Sequence, residues 1–231
     1  VFDDLTELEK GQRMAAWREV ARRIAHEVKN PLTPIILSAQ RLKRKYAQFV
    51  DDTIFEECTE TIISQVELIR NLVNEFSSFA RFPSANPVPS HLVPIIEETV
   101  ALYREGHPGI NFKINNTRDI PILNLDHQQM KQALINLIDN AISALKGAGH
   151  ITISVAHDPI LKKVRMEVAD DGPGISDEDK TRLFQPNFST KKTGMGLGLT
   201  IVNTIIADHN GTINVQDNAP KGAKFVIELP V

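Results

Sequence analysis

Ala21-Arg22-Arg23-Ile24-Ala25-His26-Glu27-Val28-Lys29-Asn30-Pro31-Leu32-Thr33-Pro34-Ile35 decides how the first third of the chain is built. Its apolar residues Ala21, Ile24, Val28, Leu32 and Ile35 recur at steps of three and four, the spacing that lines one face of a helix. The same phase runs back through Trp17 and Met14 and forward through Ala39, Leu42, Tyr46 and Phe49, predicting a long helix in a coiled-coil-like bundle. His26 lies two residues from both Ile24 and Val28, about 200° from each around the helix, and so points away from the apolar seam.

Pro31 cannot donate to the Glu27 carbonyl, nor Pro34 to that of Asn30, so the helix is expected to be bent or loosened just past the histidine. The stripe continuing through Ile35, Ala39 and Leu42 speaks against an outright stop at Pro31. After a polar break at Asp51-Asp52-Thr53 a second stripe follows: Phe55, Cys58, Ile62, Val66, Ile69, Val73, Phe76, Ala80. A brief connection makes an antiparallel hairpin. One hairpin leaves both seams partly uncovered, and a homodimeric four-helix bundle is the expected solution. Cys58, on the apolar phase, is expected in the core; a single cysteine excludes an internal disulfide and any multi-cysteine zinc site.

Arg81-Phe82-Pro83-Ser84-Ala85-Asn86-Pro87-Val88-Pro89-Ser90 holds three prolines among small polar residues and divides the chain. The expected organisation is a linker from an upstream sensor domain over 1–12, a helical domain over 13–83, an interdomain linker over 84–90 and a second domain over 91–231. Two domains suit 231 residues, and a composition of 42% hydrophobic and 24% charged residues with net charge −3 lacks the basic excess of a nucleic-acid binder. No apolar run approaches the roughly 20 residues of a membrane helix. The first residue is Val1 rather than Met, which suggests a fragment with an anchor or sensor upstream.

In the second domain, helices are predicted over Leu92 to Arg104, Asp126 to Leu145 and Leu197 to Asp208. Strands are predicted over Ile110 to Asn115, Ile151 to Val155, Val164 to Val168, Thr212 to Val215 and Lys224 to Leu229. The mixture, with adjacent strands joined by hairpin-length loops, favours an α+β two-layer sandwich.

Four clusters carry possible chemistry. A neutral imidazole at His26 is a competent nucleophile if a carboxylate, Glu27 being adjacent, holds one ring N–H; Asn30, at i+4 on the same face, could position a water. Gln132, Asn136, Asn140 and Ser143 form a polar face opposite the core phase Met130, Leu134, Leu137, Ala141, Leu145, and amide oxygens are suitable hard ligands for Mg2+. Asp170-Asp171-Gly172-Pro173-Gly174 ends a strand, where a carboxylate can accept the exocyclic amine of adenine and glycines Gly172 and Gly174 admit the base. Gly194, Gly196 and Gly198 open a helix whose N–H groups suit phosphates, preceded by Phe184, Phe188, Lys191 and Lys192, a set fit for a lid. Taken singly, each admits a plain reading: a solvated histidine, a wet helix face, an acidic turn, a glycine-rich loop.

Jointly, His26-Glu27-x-x-Asn30-Pro31-Leu32-x-Pro34 and the three downstream clusters resemble, in order and spacing, the sequence boxes of the sensor histidine kinases. That resemblance implies a dimeric phosphoacceptor bundle followed by a Bergerat-type ATP-binding domain. It implies ATP with Mg2+ near Asn140 and Asn136, adenine on Asp170, and Gly194, Gly196 and Gly198 in the lid loop. His26 would be phosphorylated, and an aspartate of a response regulator would be the acceptor. Many members carry a basic residue where Ser143 stands, so charge neutralisation is expected to rest on Mg2+ and on Lys191 or Lys192. The run over 15–35 and the opening Asp3-Asp4-Leu5-Thr6-Glu7-Leu8 most resemble NtrY-like nitrogen-regulation sensors, implying an NtrX-like regulator and a cytoplasmic portion of a protein anchored in the bacterial inner membrane. Two other functions fit the residues: an ATP-dependent conformational switch without phosphotransfer, and a phosphatase-biased adaptor that binds the regulator.

Overall fold

The computed structural model describes residues 28–46, 53–80, 85–117, 119–185, 188 and 196–231. They fall in two compact units, a helical one and one built from Ser84–Phe188 with Gly198–Val231.

In the helical unit, α1 is described over 28–46 and α2 spans Thr53–Ala80. The first helix continues through both Pro31 and Pro34. Leu32, Ile36 and Val66 form the buried cluster, with Val28 packed against it. Ile36 replaces Ile35 as the inward residue at that turn; Ile35, Leu42 and Ile62 are exposed and, with Pro34, Ser38 and Ala39, leave an open apolar groove. Cys58 is exposed, not core, because Thr59 takes the buried position beside it. Thr59 can do so because its hydroxyl donates back to the Phe55 carbonyl at 2.9 Å.

The second unit is a five-stranded sheet with a helical layer. Its elements are β1 (Val88–Ser90), α3 (Leu92–Arg104), β2 (Ile110–Asn116), β3 (Leu123–Leu125), α4 (His127–Leu145), β4 (Gly149–Asp158), β5 (Lys163–Asp170), α5 (Asp177–Lys180), α6 (Gly198–Asp208), β6 (Thr212–Asp217) and β7 (Ala223–Pro230). The sheet order is β2-β4-β5-β7-β6. Among the described residues only β4–β5 and β6–β7 are hairpins; β2 and β4 are parallel, Ile110 opposite Gly149, joined by a crossover through α4. Not every strand pair has the hairpin connection expected, because a parallel pair needs a long crossover. The α+β two-layer sandwich itself is present.

β1 and β3 were not predicted as strands. They form a separate two-stranded sheet in which Val88 faces Leu125, so the end of the proline-rich linker is paired backbone. Three-residue strands, one with Pro89 at its centre, carry too little alternation to read.

The helical layer packs on the sheet by alternation. In β5 the buried residues are Val164, Met166, Val168 and Asp170; in β4 they include Ile151, Ile153 and Val155. The outer face carries the ion pairs Lys163–Glu228 and Arg165–Glu167. Helix α4 presents Met130, Leu134, Leu137 and Ile138 with no exposed surface. Each such side chain contributes about 1.5–3 kcal/mol, so the helix is held in rotation and its other face has a fixed aim.

Candidate functional site

Period-2 alternation in β5 aims Asp170 toward the helical layer and leaves Asp171 outside. Asp170 is 5% exposed, and its Oδ1 accepts from the Gly172 amide at 2.9 Å and the Ala223 amide at 3.4 Å. Burial pushes its pKa up; the two amides oppose that shift and the neighbouring charge of Asp171 adds to it. Asp171 instead accepts from the His150 amide and from the His150 ring, both at 2.8 Å, and those bonds hold its pKa down.

Gly172 is required here by close approach. A Cβ would stand 2.8 Å from Asp170 Oδ1 and 3.3 Å from Ala144 Cβ, on the last turn of α4. Gly174 has φ +83, the left-handed region that favours glycine. The acidic glycine loop, predicted as a cluster of its own, is therefore seated against the end of α4.

The polar face of α4 meets the start of α6 near the middle of the helix. Asn136 Nδ2 donates to the Gly198 carbonyl at 3.3 Å, and Gln132 Nε2 donates to Asn136 Oδ1 at 3.4 Å. Asn140 follows one turn later, half-buried, while Ser143 is exposed. Thr200 Oγ1 donates to the Phe184 carbonyl at 3.3 Å, linking the first turn of α6 to the segment after α5, where the Arg182 guanidinium lies 5.1 Å from the Phe188 ring centroid. Gly196 has φ +68. Residues 136, 172, 184 and 198, separate in the chain, thus sit on connected elements around α4.

Asn30 is an exposed residue of α1. His26, Glu27, Lys191, Lys192 and Gly194 lie outside the described residues.

Sequence reasoning missed the β6–β7 turn. Asn218 Nδ2 donates to the Asp170 main-chain carbonyl at 2.8 Å, and Gly222, φ +114, lies so close that a Cβ would fall 1.9 Å from that carbonyl oxygen. Pro220-Lys221-Gly222 is a turn signal, but nothing in it says which strand end the turn covers. Also missed was Asp126, the N-cap of α4, whose Oδ1 accepts from the Gln128 and Gln129 amides and whose Oδ2 accepts from the Asn86 amide. Its own amide donates to Nε2 of the buried His209 at 2.8 Å, so the ring proton sits on Nδ1, which donates to the Ile205 carbonyl at 2.7 Å.

Chemically, the arrangement joins one buried acceptor beside a Cβ-free approach to a row of amides and a glycine-started helix. Among the described residues no three His, Cys, Asp or Glu side chains gather to hold a metal. The donors at hand are neutral amide oxygens, a set that suits an ion completing its shell with water and phosphate, as Mg2+ does.

The model of the His Kinase A (phospho-acceptor) domain matches residues 16–85, and that of the histidine kinase-, DNA gyrase B-, and HSP90-like ATPase matches residues 125–231. Nitrogen regulation protein NtrY of Azorhizobium caulinodans is 43% identical, the match covering 99% of this chain and 30% of that protein. The chain spans about a third of the length of the curated relatives it matches. The solved catalytic domain of histidine kinase ThkA is 34% identical with TM-score 0.58, covering 63% of this chain and 95% of that one. The structure of ThkA in complex with response regulator protein TrrA is 28% identical with TM-score 0.68, covering 100% of this chain and 66% of that one.

Proposed function

Since the chain belongs to the sensor histidine kinases, we propose that it is the catalytic core of a kinase that phosphorylates its own His26 from ATP. The boundaries follow the sequence reading: a signalling linker over 1–12, the phosphoacceptor domain over 13–83, a linker over 84–90 and the ATP-binding domain over 91–231. The observation that carries the nucleotide reading is Asp170, a buried carboxylate with amides on one oxygen and a glycine-lined approach beside it. It would accept the adenine amine. Gly172 and Gly174 admit the base. Gly194, Gly196 and Gly198, with Lys191 or Lys192, would hold phosphate oxygens, and Phe184 and Phe188 would flank the lid. Asn140 and Asn136 would hold Mg2+, which supplies charge neutralisation on the phosphates.

In the transfer, an imidazole nitrogen of His26 forms the N–P bond as the bond from the γ-phosphorus to its bridging oxygen breaks, ADP leaves, and Glu27 takes the ring proton. Phosphoryl transfer depends chiefly on positioning and charge stabilisation, so an exposed acceptor suffices. The phosphoryl group then passes to an aspartate of a response-regulator receiver domain; ThkA was solved with such a regulator. Asn30 would orient water in the reverse, phosphatase direction. The apolar groove along Ile35, Leu42 and Ile62 supports a homodimer through the helical unit. The likeness to NtrY supports nitrogen regulation, an NtrX-like partner, and a cytoplasmic portion of a membrane-anchored protein.

The test is incubation with γ-labelled ATP. Acid-labile, alkali-stable label that disappears in His26→Ala is expected; steady ATP hydrolysis with no label would instead indicate a conformational ATPase.

A further inference from the structure

The β6–β7 turn, residues 218–222, clasps the end of β5 from the flank of the neighbouring strand β7. Asn218 closes the turn, its amide donating to the Gly222 carbonyl at 3.0 Å, while its side chain donates to the Asp170 carbonyl at 2.8 Å. Gly222 packs its Cα face on that same carbonyl and its own carbonyl against Gly174. Ala223, the next residue, donates to the Asp170 carboxylate. One residue before the turn, Asp217 takes an ion pair at 2.8 Å from Lys180 of α5, the element leading toward the lid. Three of these contacts fall on Asp170, two at its carbonyl oxygen and one at its carboxylate, and the ion pair ties the same turn to α5.

We propose that Asn218 is a positioning residue for adenine selectivity, acting through the main chain of Asp170. A carboxylate can discriminate an exocyclic amine from a carbonyl only if its oxygen is fixed relative to the base; a mobile one relaxes away from the mismatched group. Side-chain packing from Val164, Met166 and Val168 fixes the strand, but the pairing of β5 with β7 ends at Ala169, opposite Lys224, one residue before Asp170. The Asp170 carbonyl meets the Asn218 amide donor where the chain turns away toward Gly172. Loss of that donor leaves the peptide linking Asp170 to Asp171 held through its N–H, which donates to the His150 carbonyl at 3.3 Å, and lets it tilt about that bond, the carboxylate with it. This inference rests on the reading of Asp170 as the adenine acceptor.

The experiment compares binding of ATP and of inosine triphosphate, which carries a carbonyl in place of the adenine amine, by calorimetric titration of the full 231-residue chain. The unsubstituted chain is expected to prefer ATP at least tenfold. Asn218→Ala is expected to shrink that ratio about three- to tenfold, ATP affinity falling while inosine triphosphate affinity stays within about twofold. Asn218→Asp, equal in shape but without the donor, is expected to do the same and serves if the alanine variant does not fold. Both affinities falling together with the ratio kept, or an Asn218→Asp chain that keeps the full ratio, overturns the proposal. A chain that never preferred ATP overturns the adenine role of Asp170 and this inference with it.

Discussion

Asp170 and Asp171 are consecutive, yet the first is buried at the end of β5 with its pKa raised and the second is exposed, bonded to His150, with its pKa lowered. The signs have opposite consequences. For Asp170 the stabilising state is the protonated one, present below about pH 4 and lost as pH rises through the raised folded value. For Asp171 it is the carboxylate, present above about pH 4 and lost as pH falls through the lowered one. Asp170→Asn should therefore raise the melting temperature of the nucleotide-free chain at pH 7 while lowering ATP affinity about 10- to 100-fold. Asp171→Asn should lower the melting temperature with little change in affinity. Thermal melts at pH 7 with parallel ATP titrations check both; a destabilised Asp170→Asn chain would contradict the burial argument.

Gly222 and Gly147 both have positive φ, +114 and +104, but a Cβ at Gly222 would strike the Asp170 carbonyl whereas one at Gly147 would meet nothing within 4 Å. Gly147→Ala should cost about 1 kcal/mol from backbone conformation alone. Gly222→Ala should cost about 2–3 kcal/mol, since the β6–β7 turn must shift as well. Urea unfolding of the two variants separates the contributions, and equal losses would mean that the turn yields freely.

What the sequence made legible follows from the length of each signal. Helix α3 has the predicted bounds, Leu92 to Arg104, and the core phase Met130, Leu134, Leu137, Ala141 and Leu145 is buried throughout α4, because many turns repeat one message. Asp170 was readable as the last member of a strand alternation. Contacts made by single residues were not: Asn218, Gly222 and His209 act through one hydrogen bond or one close approach across 48, 52 and 83 residues of chain. Nor did the stripe in α2 distinguish residues facing α1 from those facing away, so Cys58 was placed in a core that Thr59 occupies.

Ile62 lies exposed on the groove with Ile35 and Leu42. If a second copy covers that groove, Ile62→Arg buries an unpaired charge at the interface, a change costing several kcal/mol. The dimer dissociation constant should rise at least 100-fold, a loss of about 3 kcal/mol. Sedimentation velocity across a dilution series measures it. A variant that remains dimeric at the same concentrations moves the interface elsewhere.

Asn30 is exposed on α1, so its truncation removes no buried contact. Asn30→Ala should leave melting within about 0.5 kcal/mol of the parent and leave label incorporation from ATP unchanged. Dephosphorylation of the phosphorylated receiver domain should slow at least tenfold, the loss expected for one water-orienting group. Retention of both activities would remove the assigned role.

Asp126 ties three segments to one carboxylate. Its oxygens accept from Gln128 and Gln129 at the start of α4 and from Asn86 beside the strand pair of Val88 with Leu125. Burial alone would raise its pKa, but the amides of Asn86, Gln129 and Gln128 outweigh it and the net shift is downward. Its contribution is therefore present above about pH 4 and fades as pH falls through the folded value. Asp126→Ala should cost about 1–2 kcal/mol at neutral pH, and the difference from the parent should narrow in acid. Asp126→Asn, which keeps an acceptor oxygen for the helix, should cost less. Hydrogen exchange adds a readout that the cap alone would not move: the Asn86 amide, deprived of its acceptor in Asp126→Ala, should exchange faster. Unchanged exchange there, with α4 destabilised, would show that the carboxylate caps the helix without anchoring the linker.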